Sequence, residues 1–447
     1  MSPRLLLAGA ALACFACNES APKPPLVMLV SIDTLRADHL GFYGYSRPTS
    51  PVLDALALES TVFDEVMSTS PWTLPAHATM LTGLYPRRHG LTSHERYLAS
   101  SQETLALLFS RAGYRTAAVV NSHNLGPDFG LDRGFQQYRY VEEKAERREP
   151  SQEITDQAIA WIEGAGDAPL FLFLHYYDVH SDYASLPEYE EAFRRPHEGV
   201  ADGTTAQLLQ FREGKVELDA AAEAPHLVDL YDAGIRQMDE EIGRLLSFLR
   251  DENLLERTLL VVTSDHGEEF FEHGSVLHGQ TQYQEALRVP LLLRGPGIPK
   301  NLRVGAPVSL VDVLPTLLTT AGIAVPDGLD GTPLAPLWSE DEAGRKRLED
   351  RYLYSEADHN NVAHDITRAV RYRSFKLHFN RLTGERRLYD LSHDPGERND
   401  IGSKQKNAFA ALSERLDGFL AQGQAEAPIR ALSQEEIDRL RSLGYVR

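Results

Sequence analysis

The chain is poor in thiols, in basic charge and in long apolar runs. Cysteine occurs twice in 447 residues, at Cys14 and Cys17, so residues 18–447 hold no disulfide framework, no cysteine zinc site and no cysteine nucleophile. Lysine and arginine number 45 against 65 aspartates and glutamates, a formal net charge of -20. A surface that grips a phosphate backbone needs clustered cations, so no nucleic-acid partner is expected. No apolar run reaches the roughly 20 residues needed to span a bilayer as a helix. What remains, 42% hydrophobic and 25% charged, is the composition of a globular protein with a sizeable core.

Residues 1–17, MSPRLLLAGAALACFAC, set one positive charge at Arg4 ahead of the apolar run Leu5–Ala16, as an export signal does. Cys17, after Ala16 and before Asn18, resembles a bacterial lipoprotein processing site whose cysteine carries a lipid. Cys14 competes for that role, and a plain cleaved signal is the simpler alternative. The expected product is exported, either periplasmic or anchored at the outer membrane through a lipid on Cys17 as its membrane contact. Residues 18–25, with three prolines, form the tether.

From Leu26 onward, short apolar runs alternate with amphipathic stretches, which predicts an α/β fold with a large, mostly parallel sheet sandwiched by helices. The expected strands are Leu26–Ile32, Thr116–Val120, Leu170–Leu174, Leu259–Thr263 and Val289–Leu293. Apolar residues at three- and four-residue steps predict a helix over Pro225–Glu252, whereas 142–153 and 197–224 lack periodicity and read as surface insertions or loops. A proline- and glycine-rich stretch, Ala324–Gly344, separates this domain, 26–325, from a small subdomain at 345–447. There, strands Ala369–Tyr372, Lys376–Asn380 and Arg387–Leu391 and a helix over Asn407–Gln422 are expected.

In open α/β sheets, ligands bind beyond the carboxyl ends of the strands. The residues delivered there are Asp33; Asn121, Ser122 and His123; His175, Asp178 and His180; and Asp265 and His266. Any one of these is an ordinary cap or turn former, but four strands ending in acid, base or ligand types point to a site. Ser70-Pro-Trp-Thr73-Leu-Pro75-Ala-His77 adds a loop running into a helix, with a hydroxyl at the start. A threonine hydroxyl attacks only beside a base or a cation. Asp33, Asp265 and His266 offer carboxylate and imidazole ligands for Zn, Mn, Mg or Ca. His89, His94 and His273 read as turn or loop residues.

Ser31-Ile-Asp33-Thr-Leu-Arg36-Ala-Asp38, the Thr73-x-Pro-x-His77 segment closing in Leu-Thr-Gly-Leu-Tyr-Pro, and Thr263-Ser-Asp265-His266-Gly267-Glu268 resemble the sulfatase family of the alkaline phosphatase superfamily. So do Tyr283-Gln-Glu-Ala-Leu-Arg288 and Leu388-Tyr-Asp390-Leu-Ser-His-Asp394-Pro-Gly-Glu397-Arg-Asn399. The resemblance implies an alkaline-phosphatase-like sandwich with a small C-terminal antiparallel β subdomain carrying the last motif. It also implies a metal-dependent hydrolase of sulfate, phosphate or phosphonate esters.

The departures are informative. Sulfatases carry, where Thr73 stands, a Cys or Ser that is oxidised to formylglycine, and threonine cannot give that aldehyde. Thr-x-Pro-x-His is instead similar to the nucleotide pyrophosphatase/phosphodiesterase branch, where threonine attacks. Thr34 replaces a second acidic ligand, His77 replaces an arginine, and His278 replaces a lysine. The resulting expectation is a Thr73 nucleophile without formylglycine, beside one divalent metal on Asp33, Asp265 and His266, with His77 near the developing charge. His180 or His278 serves as acid for the leaving oxygen, and Asn121, His123 and Asp178 bind substrate. Alternatively, Asp178, His180 and His278 complete a second metal site. The substrate would be a small-molecule, glycan- or lipid-linked anionic ester. Two other readings stay open: a phosphoethanolamine- or phosphoglycerol-type transferase, and a non-catalytic metal- and ligand-binding relative.

Overall fold

The computed structural model describes residues 24–142, 150–357 and 367–442. The export signal, Cys17 and most of the tether lie outside the described residues, as does most of the expected 142–153 insertion. An eight-stranded sheet forms the centre, in the order Leu302–Val304, Thr61–Phe63, Leu291–Arg294, Thr258–Thr263, Leu26–Ile32, Leu170–Tyr176, Arg115–Val120 and Gln137–Tyr140. Leu26–Ile32 lies parallel between Leu170–Tyr176 and Thr258–Thr263. Leu291–Arg294 runs antiparallel to both of its neighbours, a direction the apolar run alone does not encode.

The continuous apolar spelling of Leu26–Ile32 follows from burial on both faces. Val27 and Leu29 enter one core, whereas Leu26, Met28, Val30 and Ile32 enter the other. The second core is closed by the long helix Ala220–Asp251, whose Leu227, Tyr231, Met238, Ile242, Leu245 and Leu249 are buried. It starts five residues before the expected Pro225, because the Asp219 side chain caps Ala221 N at 3.0 Å. Two of its buried acidic residues hold neighbouring connections. Glu223 accepts from the backbone of Val200 and Ala201, and Asp239 from Val52 and Leu53. The 197–224 stretch is thus an ordered insertion containing helix Thr205–Arg212, capped by Thr204.

The C-terminal part is a four-stranded antiparallel sheet, Leu353–Glu356, Thr367–Tyr372, Phe375–Asn380 and Arg386–Asp390, covered by helix Lys406–Leu420. Leu412, Leu416 and Phe419 of that helix share a core with Val370, Leu377 and Leu388. Its first strand, Leu353–Glu356, has no counterpart among the expected elements. Arg87 ties this subdomain to the larger one, donating to Glu356 Oε1 at 3.0 Å and to the carbonyls of Phe419, Leu420 and Gly423.

Candidate active site

Three carboxyl strand ends meet at one fully buried cluster. Asp33 follows Leu26–Ile32, Asp265 and His266 follow Thr258–Thr263, and His175 lies near the end of Leu170–Tyr176. One ligand atom from each of Asp33, Asp265 and His266 lies within 4.8 Å of the others, the one such group among the described residues. His266 Nδ1 donates to the Gly267 carbonyl at 2.9 Å, so the neutral ring directs its Nε2 lone pair at Asp265 Oδ2, 3.2 Å away, and Asp33 Oδ1, 3.6 Å away. A lone pair facing two carboxylates is repulsive unless a cation sits between them. The donor set therefore fits a divalent metal. Burial opposes a proton on the ring, but Asp265 and Asp33 outweigh burial and hold the His266 pKa above its ordinary value. Gly267 lets this turn form, since a Cβ there would meet the Glu285 carbonyl oxygen at 2.0 Å.

Thr73 is the first residue of helix Thr73–Thr82, with Trp72 at the N-cap, so its hydroxyl is not spent on capping. Thr73 Oγ1 lies 3.4 Å from Asp33 Oδ2 and 3.3 Å from His266 Nε2. Beside it, His77 Nδ1 donates to the Thr73 carbonyl at 2.9 Å and stands 3.4 Å from Asp265 Oδ2, while Ser31 Oγ bonds its Nε2 at 2.9 Å. Burial lowers the His77 pKa to about 3, so the ring is neutral, with both nitrogens occupied. His77 braces the turn at Thr73.

Thr34 adopts φ 56, a left-handed conformation costly for a β-branched residue. Three neighbours hold it there. Asp265 Oδ1 accepts Thr34 N at 3.3 Å, Ser264 Oγ accepts Leu35 N at 2.9 Å, and the Tyr231 hydroxyl bridges Thr34 O and Arg36 N at 2.7 and 2.8 Å.

His180 and His278 form an outer pair. Their ring centroids are 4.9 Å apart, and His278 is 4.4 Å from His266. His180 Nδ1 bonds the Ser181 carbonyl, whereas His278 Nδ1 bonds the buried Glu268 Oε1 at 2.9 Å. Burial lowers His180 to about 3 and His278 well below its ordinary value, and raises Glu268 to about 7.

The other expected residues are engaged elsewhere. Asp178 Oδ1 accepts from Ser151 Oγ at 2.8 Å and Gln237 Nε2 at 3.1 Å, and burial raises its pKa to about 6. It braces two helices and does not join His180 and His278 in a metal-sized group among the described residues. Asn121 Nδ2 donates to the Val141 carbonyl at 2.8 Å, and His123 packs edge-on to Phe129, with centroids 5.9 Å apart. His175 stands at a strand end marked by the sequence but was given no role there, and Glu268 was not among the candidate residues. His175 Nδ1 accepts from Asn121 N at 3.4 Å, and its Nε2 stands 3.2 Å from Asp33 Oδ2. The ring is a buried neighbour of a residue that could hold the metal. The signal for Glu268 was its place in Asp265-His266-Gly267-Glu268.

The sulfatase family model matches residues 25–323, and a model of the N-sulphoglucosamine sulphohydrolase C-terminal region matches residues 272–425. The ulvan-active sulfatase of Formosa agariphila is 27% identical over 440 residues, covering 92% of this chain and 83% of the relative. The N-acetylglucosamine-6-O-sulfatase of Bacteroides thetaiotaomicron is 24% identical, covering 92% and 90%. Among solved structures, a protein in complex with its substrate D-glucosamine-2-N,6-O-disulfate superposes with a TM-score of 0.77 at 21% identity, covering 90% of this chain and 98% of that one. The phosphonate monoester hydrolase of Agrobacterium radiobacter gives 0.72 at 21% identity, covering 89% and 96%. At these identities the structures establish the fold. The chain belongs to the sulfatase family and is a hydrolase.

Proposed function

We propose that this protein is an exported, metal-dependent hydrolase that cleaves anionic esters, sulfate or phosphate/phosphonate, through the Thr73 hydroxyl. The observation that carries this reading is the Thr73 oxygen at the head of a helix, 3.4 Å from Asp33 Oδ2 and 3.3 Å from His266 Nε2. Asp33, Asp265 and His266 would hold a divalent cation, which supplies Lewis acidity for the developing negative charge.

The chain's own residues carry the rest. Thr73 Oγ1 loses its proton to solvent and attacks sulfur or phosphorus as the bond to the ester oxygen breaks in line. The departing oxygen takes a proton from the N–H of a neutral imidazole. His278 suits that task better than His180, because Glu268, its carboxyl raised to about 7, can pass its own proton to His278 Nδ1 and leave Nε2 as the donor, while His180 Nδ1 faces the Ser181 carbonyl. Water then attacks the same centre and returns a proton to the imidazole, and the Thr73 oxygen leaves and regains its own.

The alcohol portion belongs to a small molecule, glycan or lipid-linked ester; the named actions of the relatives on ulvan and on N-acetylglucosamine 6-sulfate favour a glycan. Threonine at the nucleophile position favours phosphate or phosphonate esters over sulfate within this reading, since the formylglycine aldehyde is not accessible from Thr73. The test is a parallel assay of aryl sulfate, phosphate monoester, phosphodiester and phosphonate ester with the wild type and Thr73→Ala. The expected result is turnover of at least one ester that Thr73→Ala abolishes; turnover unaffected by the substitution would remove Thr73 from the mechanism.

A further inference from the structure

We infer that Glu397, in the C-terminal subdomain, is a positioning residue for His278. The inference rests on the proposed role of His278 at the leaving oxygen. His278 stands on the loop between Glu272 and Leu287, and that loop is closed at its neck. His273 stacks on Tyr283 with centroids 3.4 Å apart and an interplanar angle of 2°, and its Nδ1 bonds Glu285 Oε1.

Glu397 grips both sides of this neck. Its carboxylate Oε2 accepts the Gln284 backbone N–H at 2.7 Å, and its own carbonyl lies 3.4 Å from His273 Nε2. The carboxylate is buried and fixed from behind, because Lys376 Nζ is 3.0 Å and His378 Nε2 is 3.1 Å from Oε1. Lys376 Nζ also donates to the Gln284 side-chain oxygen Oε1 at 3.1 Å, a second tie to the same residue.

Glu397 further adopts φ 52, a left-handed conformation for a residue with a long side chain. The turn that ends Asp394-Pro-Gly-Glu397 thus presents the carboxylate and the carbonyl of one residue to one neck. Within the loop, Thr281 Oγ1 donates to Glu269 Oε1 at 2.6 Å and His278 Nδ1 bonds Glu268 at 2.9 Å, so the clamp at the neck is continuous with the seat of the imidazole. A subdomain that supplies no group to the metal cluster sets where the His278 ring stands.

A double-mutant cycle of Glu397→Gln and His278→Ala tests this, using an ester with a poor leaving group. Glu397→Gln is expected to lower kcat about 10- to 100-fold with KM within about twofold, and to lower it no further in the His278→Ala background. Equal losses in both backgrounds, or a change confined to KM or to melting temperature, would overturn the inference. If Glu397→Gln does not fold, Tyr283→Leu, which removes the ring under His273, enters the same cycle with the same expected non-additivity. A histidine-selective ¹⁵N spectrum separates this claim from the catalytic one. A His278 ring signal that shifts in Glu397→Gln while His278→Ala retains full turnover leaves the positioning in place and removes His278 from the chemistry. A His278 signal unchanged in the Glu397 or Tyr283 variant contradicts the positioning.

Discussion

Asp33, Asp265 and His266 sit on adjacent strands of the central sheet, whereas His278 sits on a loop whose neck is closed by a residue of another subdomain. The inner cluster is positioned by the parallel register of Leu26–Ile32 and Thr258–Thr263, where Ser31 pairs with Thr263. Little besides backbone hydrogen bonding and a close-packed core is needed to place it. The outer histidine depends on Glu268, on the His273–Tyr283 stack and on Glu397, the last reaching in from a distant segment of the chain. Strand ends give a fixed binding centre, and loops braced by second contacts give an adjustable rim, so changes in the two regions should be felt differently.

The largest effect is expected at the inner cluster. Asp265→Asn removes one carboxylate from the ligand set, and both bound metal and turnover should fall, the latter by about 10³-fold, as the loss of several kcal/mol of charge stabilisation implies. Metal analysis alongside kinetics checks this. A variant that kept its metal and lost only a few-fold in rate would show that the cluster is not the reaction centre.

At the rim, the clearest signature is in stability against pH. Burial pushes the Glu397 carboxyl up, but Lys376 and His378 outweigh it and draw the pKa down to about 2. A carboxyl whose folded value lies below its unfolded one, near 4.3, stabilises the fold fully above about pH 5, and that contribution is lost as pH falls toward 2. Glu397→Gln should therefore cost about 3 kcal/mol at neutral pH, with the gap from wild type closing through acid. Denaturant unfolding at pH 7 and at successively lower pH measures it; a gap independent of pH would contradict the buried ion pair.

A smaller effect is expected at His175, which touches the inner cluster only through Asp33 Oδ2. His175→Leu should weaken metal binding about 10- to 100-fold while leaving the protein folded, since it removes a polar neighbour of Asp33 and not a ligand. Competition with a chelator of known affinity reads this out, and unchanged affinity would mean that the strand end alone orients Asp33.

The same contrast explains what the sequence revealed. The strands of the central sheet stand out as short apolar runs because both faces are buried, and the polar residue after each run marks the site, so Asp33, Asp265 and His266 were legible. The antiparallel course of Leu291–Arg294 and the strand Leu353–Glu356 were not, because the first depends on how a connection turns and the second is short and half polar. Asp178 and Asn121 occupy the expected strand ends, but their hydrogen bonds to Ser151, Gln237 and Val141 could not be read from the sequence, because tertiary partners set them. His77 lies in the expected place, yet its two partners, the Thr73 carbonyl and Ser31, fix a neutral ring that residue type alone does not disclose. The role of Glu397 was invisible because its motif reads as a turn until Gln284, Lys376 and His378 are seen to surround it.

The central claim is that the Thr73 oxygen attacks the ester. Rapid quenching of the metal-loaded wild type during turnover of a nitrophenyl ester, followed by peptide mass analysis, tests it most directly. The account predicts one sulfuryl or phosphoryl group on the peptide containing Thr73, absent from Thr73→Ala, which is also inactive; an unmodified Thr73 peptide together with turnover that survives Thr73→Ala would contradict it.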